Sequence, residues 1–311
     1  MSIKKLGSEK DRIAEWIEAI RRVRSRYQAY SGRPVNLLRP LRYTEKVQWR
    51  KLFDLDPRYS ILCDKLAVRE FIAQRVGSEL LTPLLWAGDN PDAVPFETLS
   101  PPYVVKSTHA SGQILRVADR DGLDVAAART MFVGWLALNY GVTYDEPAYG
   151  HVPPRLMVER RVTRPDGSPP VERKVWVFGG RVRLVQTLLN EGDRNRHAAF
   201  HDPAWQRREW YLLSPPNPGP FPPPAHLDDI VSVAERLGAG FDHVRVDFYD
   251  TDDRLWIGEM TVYPYGGIIP FTPDQADYEL GSYWRLRRPL WRALGAVLWS
   301  RHEIPRPDTV H

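Results

Sequence analysis

The stretch His243-Val-Arg-Val-Asp-Phe-Tyr-Asp-Thr-Asp-Asp-Arg-Leu-Trp-Ile-Gly-Glu-Met-Thr261 reads as two strand runs joined by an acidic turn. Strand side chains alternate between faces, so Val244, Val246 and Phe248 share one face and Arg245, Asp247 and Tyr249 the other. The residues of Asp250-Thr251-Asp252-Asp253 bond back to their own backbone and favour chain reversal. On the return, alternation puts Leu255, Ile257, Glu259 and Thr261 on a common face. Pairing across the turn would bring Asp247 and Glu259 to one level on neighbouring strands. Two carboxylates so close repel unless a cation intervenes, and a hard divalent ion completed by phosphate oxygens meets that need. The plain alternative is two solvated acids on an edge hairpin.

A chain of 311 residues can bury a substantial core and hold two or three subdomains. Its 43% hydrophobic and 26% charged residues match an ordinary globular composition. No apolar run reaches the roughly 18 residues of a membrane span, and Met1-Ser-Ile-Lys-Lys5 leads into a charged helix instead of an apolar signal core. A cytoplasmic location is the expectation. One cysteine, Cys63, excludes an internal disulfide and a multi-cysteine zinc site, and is expected to be a small core residue. The net charge of +4 comes from bases interleaved with acids, which suits anionic small molecules better than nucleic acid.

Working outward from the hairpin, Ser8 with Asp11 forms a capping-box pattern ahead of an amphipathic helix with an apolar stripe of Ile13, Trp16, Ile17, Ile20, Val23 and Tyr27. Arg12, Arg21, Arg22 and Arg26 form its expected solvated face. Thr44 is placed to cap a short helix through Leu52, Asp56-Pro57 to start another, and Asp64 and Gly77 to bound a third. Leu80 to Trp86, Tyr103 to Thr108, Ile114 to Val117 and Arg155 to Val162 read as strands, with Asp124 capping a helix that Gly141 stops. Gly179-Gly180 suits the positive φ angles of a two-residue turn, so Glu172 to Phe178 and Arg181 to Gln186 form a hairpin. Asn190 to Asp202 reads as a polar loop and Ser214 to Pro224 as an extended connection. Leu227 to Leu237 reads as a helix ended by Gly238, and Pro273 to Arg301 as a mostly helical tail.

No GxxxxGK[ST], GxGxxG, GxSxG or HExxH motif occurs, so neither a P-loop nor a dinucleotide fold has support. Lys106 instead ends a strand ahead of His109-Ala-Ser-Gly112, a small-residue loop whose backbone N–H groups can meet phosphate oxygens.

Read together, the order and spacing of these pieces resemble ATP-grasp enzymes. Asp64-Lys65 opening a helix, a strand bearing Lys106, and a loop with Ser111 and Gly112 resemble their first half. That likeness implies that Lys65 and Lys106 contact nucleotide phosphates while the loop folds over them. Met157-Val-Glu159, continuing through Arg160 and Val162, resembles the adenine-hinge strand, and Glu172 the ribose-binding acid. Lys174 shares a strand face with Glu172 and so points into the same cleft. Arg245-Val-Asp247 with Gly258-Glu259 resembles the final part, implying that Arg245 faces an oxyanion while Asp247 and Glu259 hold magnesium. This is the order of parts in D-alanine:D-alanine ligases and their relatives. The chain is more closely similar to the ATP-grasp family named after teichuronopeptide biosynthesis, through Glu45 to Asp54 (EKVQWRKLFD), Asp64 to Glu70 (DKLAVRE), Val244 to Tyr249 and Gly258 to Pro264. The likeness runs over about residues 34 to 285.

The resemblance implies an α+β ATP-grasp fold in which two α+β subdomains clamp ATP. Residues 1–95 would be a mostly helical region, 96–165 the small subdomain over the nucleotide, and 166–311 the large subdomain with the metal site and C-terminal helices. It also implies a ligase that joins a carboxylate to an amine through an acyl phosphate, in peptide, glycopeptide or cell-surface polymer assembly, using ATP and Mg2+. Arg245 and Lys106 would be catalytic. Arg194, with Arg196 and His197, is a candidate for phosphate or substrate carboxylate, and Tyr263 to Gly267 for seating the acceptor. Thr261 stands where relatives usually carry asparagine, which leaves a second metal ion open. The rivals are an ATP-grasp kinase acting on a hydroxyl, which needs a base beside the acceptor, and a non-catalytic nucleotide-binding protein. Expected partners are small-molecule carboxylates and amines, with no nucleic acid and no membrane, in a chain that could pair as a homodimer.

Overall fold

The computed structural model describes residues 9–189, 197–212 and 219–286. The chain opens with α1 (Glu9–Ser31), α2 (Tyr43–Phe53), α3 (Arg58–Cys63) and α4 (Ala67–Val76). On α1, Val23 and Tyr27 are buried and Trp16 and Ile20 pack against Trp49 and Phe53, whereas Ile13 and Ile17 stay exposed. The expected solvated face is partly a contact surface, since Arg22 and Arg26 both pair with Asp145. The Ser8 and Asp11 capping pattern and Arg12 lie outside the described side chains. Arg42, not Thr44, occupies the cap position of α2. Thr44 is buried and gives its backbone N–H and hydroxyl to Asp277 at 3.0 and 2.6 Å. Asp64 accepts from the Leu66 N–H at 2.9 Å just ahead of α4, and Gly77 ends that helix at φ +98°. Cys63 is buried and unpaired among the apolar side chains of the main core.

A small antiparallel sheet follows, with strands β1 (Leu84–Gly88), β2 (Tyr103–Ser107), β3 (Ile114–Val117) and β4 (Leu156–Arg160) in the order β1-β4-β2-β3. The first of these runs Leu84–Gly88, not Leu80 to Trp86, and so adds residues below 96 to this sheet. Two helices precede β4: α5 (Val125–Ala137), capped by the Asp124 carboxylate, and α6 (Tyr140–Thr143), which contains Gly141. The expected single helix is therefore broken at Leu138-Asn139, where Asn139 caps a new turn. Tyr103, Val105, Phe132, Leu156 and Val158 form the core between this sheet and α5.

The larger antiparallel sheet comprises β5 (Val171–Phe178), β6 (Arg181–Leu189), β7 (His197–His201), β8 (Arg207–Arg208), β9 (His243–Asp250) and β10 (Leu255–Thr261), in the order β10-β9-β5-β6-β7-β8. Between β8 and β9 runs α7 (Leu227–Gly238), and α8 (Asp274–Tyr283) follows β10. Gly179 and Gly180, at φ +56° and +77°, make the turn between β5 and β6. Residues 197–201 are a strand rather than part of a polar loop, because they pair with β6 through Val185 to Leu189. Val244, Val246 and Phe248 face the core at 0–1% exposure, beneath Ile230, Ala234 and Leu237 of α7.

Strict alternation fails in β10. Ile257 pairs with Phe248 and Glu259 with Asp247, so Gly258 is an extra residue in the ladder. This β-bulge turns Glu259 and Thr261 to the face of Asp247 and Arg245, while Leu255, Ile257 and Met260 remain in the core. The four residues expected on one face are thus divided between two. A Cβ at Gly258 would lie 2.8 Å from the Tyr249 ring, which explains glycine at the bulge.

The second helix ties the molecule together. Arg50 donates to the carbonyls of His243 and Val262 at 2.9 and 3.0 Å and pairs with Asp242. Gln48 holds the carbonyls of Gly266 and Gly267 at 2.9 and 2.7 Å, and Lys46 those of Gly281 and Trp284 at 2.8 and 2.6 Å. Glu45 accepts from the backbone N–H groups of Leu41 and Arg42 at 2.9 and 3.1 Å.

Candidate active site

Two cavities, of about 240 and 440 Å³, open between the sheets and share Ile114, Arg116, Glu172 and Tyr249 as walls, so they adjoin within the cleft. Lys106, Glu159, Arg160, Val162 and Glu172 line the smaller part. Ser111, Gly112, Glu172, Lys174, Arg245, Asp247 and Glu259 line the larger. Lys65 lines neither. Its ammonium donates to the Ala110 carbonyl and its backbone N–H to the Thr108 carbonyl at 3.2 Å, and that ammonium interacts with the charges of Glu259 and Lys106. Arg194 and Arg196 lie outside the described residues, as does the side chain of His197.

At one end, the Lys106 ammonium meets Glu159 Oε2 at 2.8 Å. Glu159 Oε1 accepts from Arg69 at 2.8 Å and from the Thr82 hydroxyl at 2.6 Å. Burial disfavours both charges, but each offsets the penalty of the other, so Lys106 ends above the ordinary lysine value and Glu159 below the ordinary carboxylate range. The Glu159 carboxylate, bonded on both oxygens, orients the Lys106 ammonium. Arg69 and Thr82 were given no role from sequence, because only folding brings α4 and the β1 approach against β4.

At the other end, β9 sets Arg245, Asp247 and Tyr249 toward the cleft, and pairing puts Lys174 of β5 opposite Asp247. Arg245 donates to both Asp247 oxygens at 2.6 Å and to the Thr261 hydroxyl at 3.1 Å, while Lys174 reaches Asp247 at 3.3 Å and Glu172 at 3.1 Å. Burial works against the Asp247 carboxylate, but Arg245 and then Lys174 hold it below its usual range, so it stays ionised. The Arg245 guanidinium stands over the rings of Trp176 and Tyr265, 5.6 and 5.2 Å from their centroids, and the Tyr265 hydroxyl is fixed by Gln186 at 2.8 Å. Nothing in the sequence marks Trp176, whereas Tyr265 falls within Tyr263 to Gly267, the stretch expected to seat the acceptor. Tyr265 reaches its place through a left-handed backbone at φ +52° beside Gly266 and Gly267, which Gln48 pins.

Asp247 and Glu259 face one another in register. Among the described residues no group of three or more His, Cys, Asp or Glu side chains is arranged to hold a metal. Mg2+ asks less, taking one or two carboxylates and completing its shell with phosphates and water, so this pair fits it. Glu259 is the freer carboxylate, bonded to Thr261 at 3.2 Å, whereas Asp247 engages both oxygens with Arg245 and Lys174.

The family model described as TupA-like ATPgrasp matches residues 45–285. This chain belongs to that family, and its two antiparallel sheets with the cleft between them are the ATP-grasp fold. No curated protein matches the sequence. Among solved structures, the ATP-grasp ligase PsnB complexed with minimal precursor is similar at 13% identity and TM-score 0.39, over 66% of this chain and 54% of that one. The D-alanine–D-alanine ligase from Bacillus anthracis complexed with ATP is similar at 14% identity and TM-score 0.39, over 65% of this chain and 55% of that one. The alignment therefore spans little more than half the length of these structures. No helix among the described residues is long and apolar enough to cross a membrane.

Proposed function

We propose that the chain is an ATP-dependent ligase that forms an amide from a carboxylate and an amine through an acyl phosphate, within peptide, glycopeptide or cell-surface polymer assembly. The observation that carries this reading is the pair of adjoining cavities between the sheets, with Lys106 aimed by Glu159 in one and Arg245, Asp247, Lys174 and Glu259 assembled in the other. Family membership over residues 45–285 supports ATP as the cosubstrate.

Phosphoryl transfer demands alignment and charge neutralisation more than covalent chemistry. A substrate carboxylate oxygen attacks the γ-phosphorus, the bond to the β-phosphate oxygen breaks, and ADP leaves. The amine then attacks the acyl carbon, inorganic phosphate departs, and the amine loses a proton. Lys106, kept ionised by Glu159, offsets phosphate charge. Magnesium held by Glu259 and Asp247 would neutralise more of it. Arg245 has no hydrogen-bond partner at Nη1 among the described residues, and this donor serves the oxyanion of the second step. Glu172, on the wall shared by both cavities, serves the nucleotide sugar.

The test is ADP release in the presence of mixed amino acids and uronic acids, with and without hydroxylamine, which traps an acyl phosphate as a hydroxamate. ADP with hydroxamate is the expected result. ADP with a phosphorylated alcohol and no hydroxamate would overturn the ligase reading in favour of a kinase.

A further inference from the structure

The larger cavity contains a buried charge pair that the ligase reading leaves without a role. Lys51 of α2 and Glu146, which follows α6, both line it at only 5% and 6% exposure. Lys51 Nζ lies 3.5 Å from Glu146 Oε1 and 3.5 Å from the Tyr144 carbonyl. Both distances exceed the roughly 2.7–3.2 Å of a well-made N–H···O bond. An ammonium carries three donors and a carboxylate about four lone-pair sites, so the pair balances charge while leaving most of its hydrogen-bonding capacity unused. Burial lowers the Lys51 ammonium and raises the Glu146 carboxyl from their ordinary values, each countered by its partner.

The surroundings keep this pair accessible from the cavity. A Cβ on Gly266 would stand 3.3 Å from Glu146 Oε1 and 3.6 Å from Lys51 Nζ, so the bare glycine leaves the approach to both charges open. Gln48, one turn before Lys51, holds Gly266 in place through its carbonyl at 2.9 Å. Tyr140, Tyr149 and Tyr263 complete the wall, and such ring faces accept an ammonium group.

We infer that this part of the cleft binds the zwitterionic head of an amino acid, its ammonium on Glu146 and its carboxylate on Lys51. A simple anion or cation would satisfy one member of the pair and set a buried like charge against the other. A zwitterion adds no net charge and replaces one long contact with two charge-assisted hydrogen bonds. That the bound amino acid is a substrate rests on the ligase reading; the binding itself does not.

The test uses the full chain with magnesium and the ATP analogue AMP-PNP, titrated calorimetrically with the twenty proteinogenic amino acids, D-alanine and D-glutamate. Each binder is then compared with its deamino and decarboxy counterparts. At least one amino acid is expected to bind about tenfold or more tighter than both counterparts. Lys51→Met and Glu146→Gln should each weaken it by about tenfold or more while leaving AMP-PNP affinity within about twofold. Gly266→Ala, which sets a methyl against both charges without removing either, should produce the same loss; because its backbone at φ +60° strains a side chain, it is read where AMP-PNP affinity is kept within about twofold. Undiminished binding in folded variants, counterparts that bind as well as the amino acid, or no amino-acid binding while AMP-PNP binds would overturn this inference alone. A wild-type chain that takes no AMP-PNP would overturn the ATP-dependent reading, whereas this inference stands or falls on amino-acid binding alone.

Discussion

Two arginines that meet β9 are built from nearly the same parts. Arg50 stands over Tyr59 and Trp284 at 4.8 and 4.3 Å from the ring centroids and pairs with Asp242. Arg245 stands over Trp176 and Tyr265 at 5.6 and 5.2 Å and pairs with Asp247. Arg50 is wholly buried, and both its Nη atoms close on oxygens of the chain itself. Arg245 faces a cavity with one Nη still uncommitted among the described residues. An aromatic clamp and a carboxylate thus make a strut when the nitrogens end on the fold, and a reagent when one is left toward a cleft.

Removing the strut should have the largest effect. Arg50→Ala leaves the Asp242 charge buried, and breaking such a pair costs about 3 to 5 kcal/mol, readable by urea denaturation. A loss below about 1 kcal/mol would mean that the Trp284 indole, 2.8 Å from Asp242, suffices to hold it. Arg245→Ala should instead act on turnover, since losing one oxyanion donor costs about 2.7 to 4 kcal/mol, a fall of roughly a hundredfold or more. ATP binding should persist, and equal loss of both would erase the contrast between the two arginines.

The core side and the cleft side should also differ in the sign of their pH dependence. Burial pushes the Asp277 carboxyl up to about 6, despite hydrogen bonds from Thr44. A raised folded value means that its contribution to stability is full below the unfolded value near 3.8 and is lost as pH rises through about 6. Asp277→Asn should therefore gain on the wild type between pH 4 and pH 7, by at most about 3 kcal/mol at 1.36 kcal/mol per unit. Asp247 and Glu159, both held below the usual range, behave oppositely: their stabilisation is present at neutral pH and lost in acid. A variant with an unchanged stability profile would remove Asp277 from this comparison. The smallest effect is expected for Glu159→Gln. It leaves Lys106 hydrogen-bonded but no longer charge-paired, and should raise the KM for ATP by about tenfold, equivalent to about 1.4 kcal/mol, in steady-state kinetics.

Much of this site could be read before folding because it depends on local patterns. The alternation through Val244 to Tyr249 selected the face of Arg245 and Asp247, and Gly179-Gly180 marked its turn. Glu259 was matched to Asp247 although its face was misjudged, since a bulge is a property of two paired strands and leaves no period of its own in one of them. Residues 197–201 read as a loop in the sequence because their pairing partner is what makes them a strand. The Glu45 to Asp54 segment was noticed as a family likeness with no chemistry attached, yet it supplies Gln48, Arg50 and Lys51.

The amino-acid sequence by itself determined the residue types at the cleft, their order and the face presented by a regular strand such as β9, because these follow from backbone periodicity and turn chemistry. Only the tertiary structure decided which charges meet. It set Lys106 on Glu159, Lys65 on the Ala110 carbonyl, and Lys51 beside Glu146 across 95 positions of chain (146 − 51), because a buried charge takes its partner from whatever packing brings within reach.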